Sequence, residues 1–115
     1  MEKISDSEKN RLESQGSLFL QVSYTQIRSF HAVAFAGGFT AASKILHVGQ
    51  PTITAQVQAL EDFYGVELFH RRGRHVELTD TGRELYAVTK RMEILEKEAQ
   101  DVLQAAGKFQ SGNLK

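Results

Sequence analysis

The sequence predicts a mainly α-helical fold: three short helices, a basic two-stranded ribbon and one long closing helix. Three observations predict it. Apolar residues recur at helical spacing in four separate stretches, glycines punctuate those stretches, and an arginine cluster sits between two short apolar pairs. The chain has 115 residues, 41% of them hydrophobic and 24% charged, which suits one folded domain and excludes an enzyme with separate lobes.

Residues 1–22 begin polar and end in Leu18-Phe19-Leu20; they read as a loose extension or a short helix. Ser23 then fits a capping box with Gln26. Ile27, Phe30, Val33 and Ala34 follow at helical spacing, and Gly37-Gly38 stops this first helix. Thr40 suits the cap of a short second helix that buries Ala41, Ala42, Ile45 and Leu46. His47-Val48-Gly49 makes a turn. Gln50-Pro51 opens a third helix, since proline is tolerated where its missing N–H had no partner. Ile53, Val57, Leu60 and Tyr64 form its apolar face. Its other positions, Thr52, Thr54, Ala55, Gln58 and Ala59, are small or neutral polar where an ordinary solvated face carries charges; Gln56 lies nearer the core edge.

Gly65 ends that helix. Leu68 and Phe69 are expected to pair with Val76 and Leu78 in a ribbon whose tip, His70 to His75, turns at Gly73. Thr79 can cap a fourth helix with Asp80 in its first turn. Leu85, Val88, Met92, Leu95, Ala99, Val102 and Ala106 then form an unbroken heptad seam. A helix over 80–106 would reach roughly 40 Å, beyond a domain of this size, so the seam calls for a partner helix. Residues 107–115 read as a hinge.

Lys+Arg and Asp+Glu are both 14, so basic charge is local rather than global: Arg71, Arg72 and Arg74 crowd the ribbon tip. There is no cysteine, which excludes disulfide scaffolds and thiolate chemistry and suits a reducing cytoplasm. No run of about 18 apolar residues exists to span a membrane. We find no nucleophile–base arrangement, paired carboxylates, phosphate loop or metal motif, so no catalytic, cofactor or metal residues are assigned. His70 and His75 lack a carboxylate or thiolate at ligand spacing. His31 and His47 read as structural, and Arg28 could meet a phosphate or an acid.

The order helix, turn, helix, helix, ribbon is that of a winged helix-turn-helix, here with a long C-terminal dimerisation helix. The run from Phe39 to Glu61, then Gly65-Val66-Glu67-Leu68-Phe69, Arg71, Gly73-Arg74 and Leu78-Thr79 with Gly82, resembles the amino-terminal domain of LysR-type transcriptional regulators over residues 23–106. The resemblance implies sequence-specific binding of double-stranded DNA by a homodimer, with the third helix in the major groove and the wing on flanking backbone or minor groove. It implies a domain at 23–79, a linker helix at 80–106, and a hinge at 107–115 toward an effector domain that binds a small-molecule inducer, in a regulator about three times longer. Ser111 to Lys115 looks like the start of that domain's first strand. The wording of 50–54 and 64–74 is similar to regulators associated with phosphonate catabolism.

The expected DNA surface is Thr40, Gln50, Pro51, Thr52, Thr54, Ala55 and Gln58, with Arg71, Arg72 and Arg74 on the wing. The resemblance adds a phosphate contact at Thr40 and the helix start beside it. The expected dimerisation residues are Leu85, Val88, Met92, Leu95, Ala99 and Val102. The chain departs from the family pattern at Gly49, Ala55 and Gln58, where a serine and two basic residues are usual. Base reading therefore leans on methyls, hydroxyls and amides, with thymine methyls and adenine edges as suitable targets. An alternative keeps the long helix as a protein-recruiting module whose small domain does not touch DNA; a steep fall of binding with salt separates the two.

Overall fold

The computed structural model describes residues 5–7, 24–73 and 75–111. The expected extension (apart from 5–7), the cap Ser23, Arg74 and residues 112–115 of the strand start expected at 111–115 lie outside those residues, while Ser111 is the last residue of a helix and not the start of a strand. Helix α1 spans Tyr24–Ala36 and buries Ser29, Phe30, Ala32 and Val33. Gly37 ends it with φ 82°, its N–H donating to the Val33 carbonyl at 2.8 Å.

Helix α2 spans Phe39–Leu46. Its cap is Gly38, with extended backbone and no side-chain bond, so Thr40 lies inside the first turn and is not the cap. The helix starts early because Phe39 packs edge-on against Phe69, at 5.9 Å between centroids, and that burial draws residue 39 into the helix. Of its expected buried side, Ala42 is in the core and Leu46 packs against it, while Ala41 and Ile45 are exposed. His47 closes α2 in the left-handed region, φ 58°.

Helix α3 spans Gln50–Tyr64 with Pro51 in the first turn. Ile53, Val57 and Leu60 are buried as expected. Tyr64 is 50% exposed: it sits in the last turn, past the cover of the core, and rests against Phe63 at 4.9 Å.

Strands β1 (Phe69–Arg72) and β2 (His75–Leu78) pair antiparallel, with Phe69 opposite Leu78 and Arg71 opposite Val76. Leu68, expected in the ladder, is buried just before it. Its N–H goes to the Glu61 carboxylate and its carbonyl accepts the Thr79 N–H at 3.0 Å. The core joins Phe30, Val33, Ala42, Ile53, Val57, Leu60, Leu68 and Phe69. A fully buried side chain such as Phe30 or Ile53 contributes about 1.5–3 kcal/mol.

Helix α4 spans Asp80–Ser111. Thr79 caps it as expected, its Oγ1 accepting the Gly82 N–H at 2.9 Å. A Cβ at Gly82 would overlap the Leu68 carbonyl oxygen, so only glycine lets α4 start this close to the wing. The helix runs five residues past the expected end at 106, because a single glycine at 107 costs a helix only about 1 kcal/mol. Its 32 residues span roughly 48 Å, against a longest molecular extent of 53 Å.

The face of α4 that meets α1 carries Tyr86 and Thr89. His31 of α1 lies 5.3 Å from the Tyr86 ring, and its Nδ1 is 2.8 Å from Thr89 Oγ1, which gives it the structural place expected. Among the described residues no helix is long and apolar enough to cross a membrane.

Candidate nucleic-acid interface

The first turn of α3 is set by Gly49, which leaves its carbonyl to the Thr52 and Ile53 N–H groups and brings no side chain to the cap. From there the helix turns one face to solvent. Gln50, Pro51, Thr54, Ala55 and Gln58 share one shallow surface, and Thr52 is exposed beside them. These are the α3 residues expected at a duplex, and the structure brings them together. Gln56 is turned inward, its Oε1 accepting from Ser29 Oγ, which removes it from that surface.

Two exposed glutamines are held by neighbours. Thr40 Oγ1 donates to Gln50 Oε1 at 2.9 Å, tying the first turn of α2 to the start of α3. Gln58 Nε2 donates to Asp62 Oδ1 at 2.9 Å, one turn further along. Thr40, Lys44, Gln50, Thr54 and Arg71 line one open groove between the helix pair and the wing. Lys44 belongs to this groove and was not among the residues expected there. Its signal was its spacing of four from Thr40, which places both on one face of α2.

The wing arginines part company. Side chains alternate along a strand, so Arg71 and Arg72 leave opposite faces of the ribbon. Arg71 faces the groove, but it is not a free cation. Its Nη2 lies 3.2 Å from Glu61 Oε1 and its guanidinium carbon 5.3 Å from the centre of the Phe39 ring. Arg72 stands with His70, Glu67, Glu77, Asp80 and Arg83, away from the α3 groove. Acidic neighbours on that side offset its charge. Arg74 lies outside the described residues.

Glu61 is the residue that sequence reasoning missed. It is 4% exposed. Its Oε2 accepts the Leu68 N–H at 2.8 Å and the Phe69 N–H at 3.4 Å, while Oε1 pairs with Arg71. A buried carboxylate is tolerated only when bonded in this way. One side chain thus joins the recognition helix to the first strand of the wing. The readable signal was an acid on the Ile53–Val57–Leu60 face, where an apolar residue is the ordinary occupant.

The seam on α4 divides. Leu85 packs against the core, and Met92, half-buried, lines a pocket shared with α1. Between them Val88 is 40% exposed, and beyond them Leu95 is 61% and Val102 67% exposed, with Ala99 and Ala106 exposed too. Leu103, 71% exposed, extends the stripe along one flank, and Ile94, 59% exposed, stands apart from it.

Comparison with known proteins agrees with this geometry. The sequence pattern described as "Bacterial regulatory helix-turn-helix protein, lysR family" matches residues 24–83. The chain is 36% identical over 96 residues to the RuBisCO operon transcriptional regulator of Allochromatium vinosum, covering 84% of this chain and 32% of that protein. It is 41% identical over 90 residues to the HTH-type transcriptional regulator TfdT of Cupriavidus pinatubonensis, covering 78% of this chain and 40% of that one. Among solved structures, the CbnR DNA-binding domain in complex with DNA superposes with a TM-score of 0.63 at 42% identity, covering 74% of this chain and 98% of that one. The chain spans about a third of the length of these full-length relatives.

Proposed function

The chain belongs to the lysR family of bacterial regulatory helix-turn-helix proteins, and on that premise we propose that it binds specific sites on double-stranded DNA as a homodimer and so regulates transcription. Members of the family are regulators, not enzymes. The observation that carries the reading is the shared surface of Gln50, Pro51, Ala55 and Gln58, all exposed, with the half-buried Thr54, flanked by the cations Lys44 and Arg71 across one groove. Methyls, a hydroxyl and amides suit base edges in the major groove, and cations suit the phosphates beside it.

The exposed part of the α4 seam supports the dimer. The stripe Leu95, Ala99, Val102 and Ala106 is turned away from the Thr89 face that docks on α1, so it is left for a second copy. In the whole protein we place the inducer on an effector domain joined through α4, and the protein in the cytoplasm. A finer placement, among regulators associated with phosphonate catabolism, rests on the wording of 50–54 and 64–74; induction of the controlled promoter by a phosphonate tests it.

Selection of bound DNA from a random pool by this 115-residue chain tests the main proposal. The expected result is a partly palindromic site whose half-sites lie about one helical turn, or a multiple of it, apart. Thr54→Ala changes base preference at one position more than it changes affinity for random DNA. Equal weakening on every sequence would show that α3 does not read bases.

A further inference from the structure

We propose that Asp62 is a specificity-determining residue that acts through Gln58, holding its amide so that the carbonyl oxygen meets the duplex and selects a base with an exocyclic amine. The inference rests on the placement of α3 in the major groove given above.

A glutamine amide has two ends of opposite character, an acceptor oxygen and a donor NH2, and free in solvent it presents either. Gln58 is not free in this sense. Its Nε2 is 2.9 Å from Asp62 Oδ1. A carboxylate only accepts, so the end of the amide turned to Asp62 has to be the nitrogen. The oxygen is then the end not taken by Asp62, on a side chain that shares its surface with Gln50, Pro51, Thr54 and Ala55. In the major groove the amino groups of adenine and cytosine donate, whereas the guanine O6 and N7 and the thymine O4 accept. An amide fixed with its oxygen outward favours the first pair and opposes the second. Gln50 is held the other way, its oxygen engaged by the Thr40 hydroxyl at 2.9 Å. It serves as an internal control two turns along the same helix.

Asp62 also brings a negative charge near the phosphates, which weakens binding to every sequence alike. Charge and orientation are separable. Asp62→Glu keeps the charge and a partner that only accepts; Asp62→Ala removes both, and because the charge acts on all sequences alike its loss cancels in the ratio of affinities between sites. Both side chains are exposed, so these variants leave the core untouched.

The experiment is selection from a random DNA pool by the parent chain, Gln58→Ala, Asp62→Ala and Asp62→Glu, followed by affinities for sites that differ at one position. The parent is expected to select adenine or cytosine at a position that becomes indifferent in Gln58→Ala. Asp62→Ala is expected to lose about two- to tenfold of that discrimination, the scale of one hydrogen bond. Asp62→Glu keeps the discrimination, Asp62→Ala gains affinity for all sequences, and the position read by Gln50 is unchanged in both. Guanine or thymine at the Gln58 position, no position dependent on Gln58, or discrimination undiminished in Asp62→Ala overturns the inference and leaves the DNA reading standing. A pool in which the parent enriches no site overturns both.

Discussion

At the scale of single residues, Glu61 does more for the site than any side chain that faces solvent. It satisfies two backbone N–H groups at the entry to β1 and steers Arg71 over Phe39. Glu61→Ala leaves those buried donors without an acceptor, and is expected to cost roughly 2–4 kcal/mol by chemical denaturation. Arg71→Ala costs less, because Arg71 is 40% exposed and the backbone donors keep their acceptor. A larger loss from Arg71→Ala than from Glu61→Ala would contradict this division of labour. The acid on the apolar face of α3 was legible, but its partner was not: Glu61 and Arg71 stand ten residues apart on different elements, and the apolar periodicity of α3 speaks only of its own face.

At the scale of elements, the join between α1 and α4 sets how the reading head sits on the long helix. Tyr24 contributes there, its hydroxyl donating to Glu96 Oε2 at 3.0 Å. Burial raises the Tyr24 phenol above its ordinary value of about 10, and the bond to Glu96 and the Glu96 charge raise it further, while Arg28 opposes them. A raised value means the folded state favours the neutral phenol. The tie is therefore present at neutral pH and is lost as pH climbs above about 10 and through the raised value. Tyr24→Phe, measured beside the parent, is expected to be less stable by under about 1 kcal/mol at pH 7, since the bond is exposed. That gap narrows as pH rises above about 10. A gap that grows with pH would reverse the assignment. Helix spacing announced both elements, but not this bond, which joins residues 72 positions apart.

At the scale of the whole molecule, a 32-residue helix outruns the domain it closes, and its far half exposes an apolar stripe to water. Leu95→Glu with Val102→Glu is expected to convert the chain to a monomer in sedimentation or scattering. The thermal midpoint of the small domain should stay in place, because both residues lie far from its core at 61% and 67% exposed. A dimer that survives both charges would place the interface elsewhere. What the sequence by itself determined was the order of elements, the core periodicity, the Thr79 cap, the glycine turns and the small polar face of α3, because each depends on residues within a turn or two of one another. Tertiary structure alone decided which side of the ribbon Arg71 and Arg72 take, which half of the seam remains exposed, that Thr40 binds Gln50 instead of capping α2, and that Glu61 is the hinge pin of the wing. Those outcomes depend on which distant surfaces meet, and no local spacing contains that information.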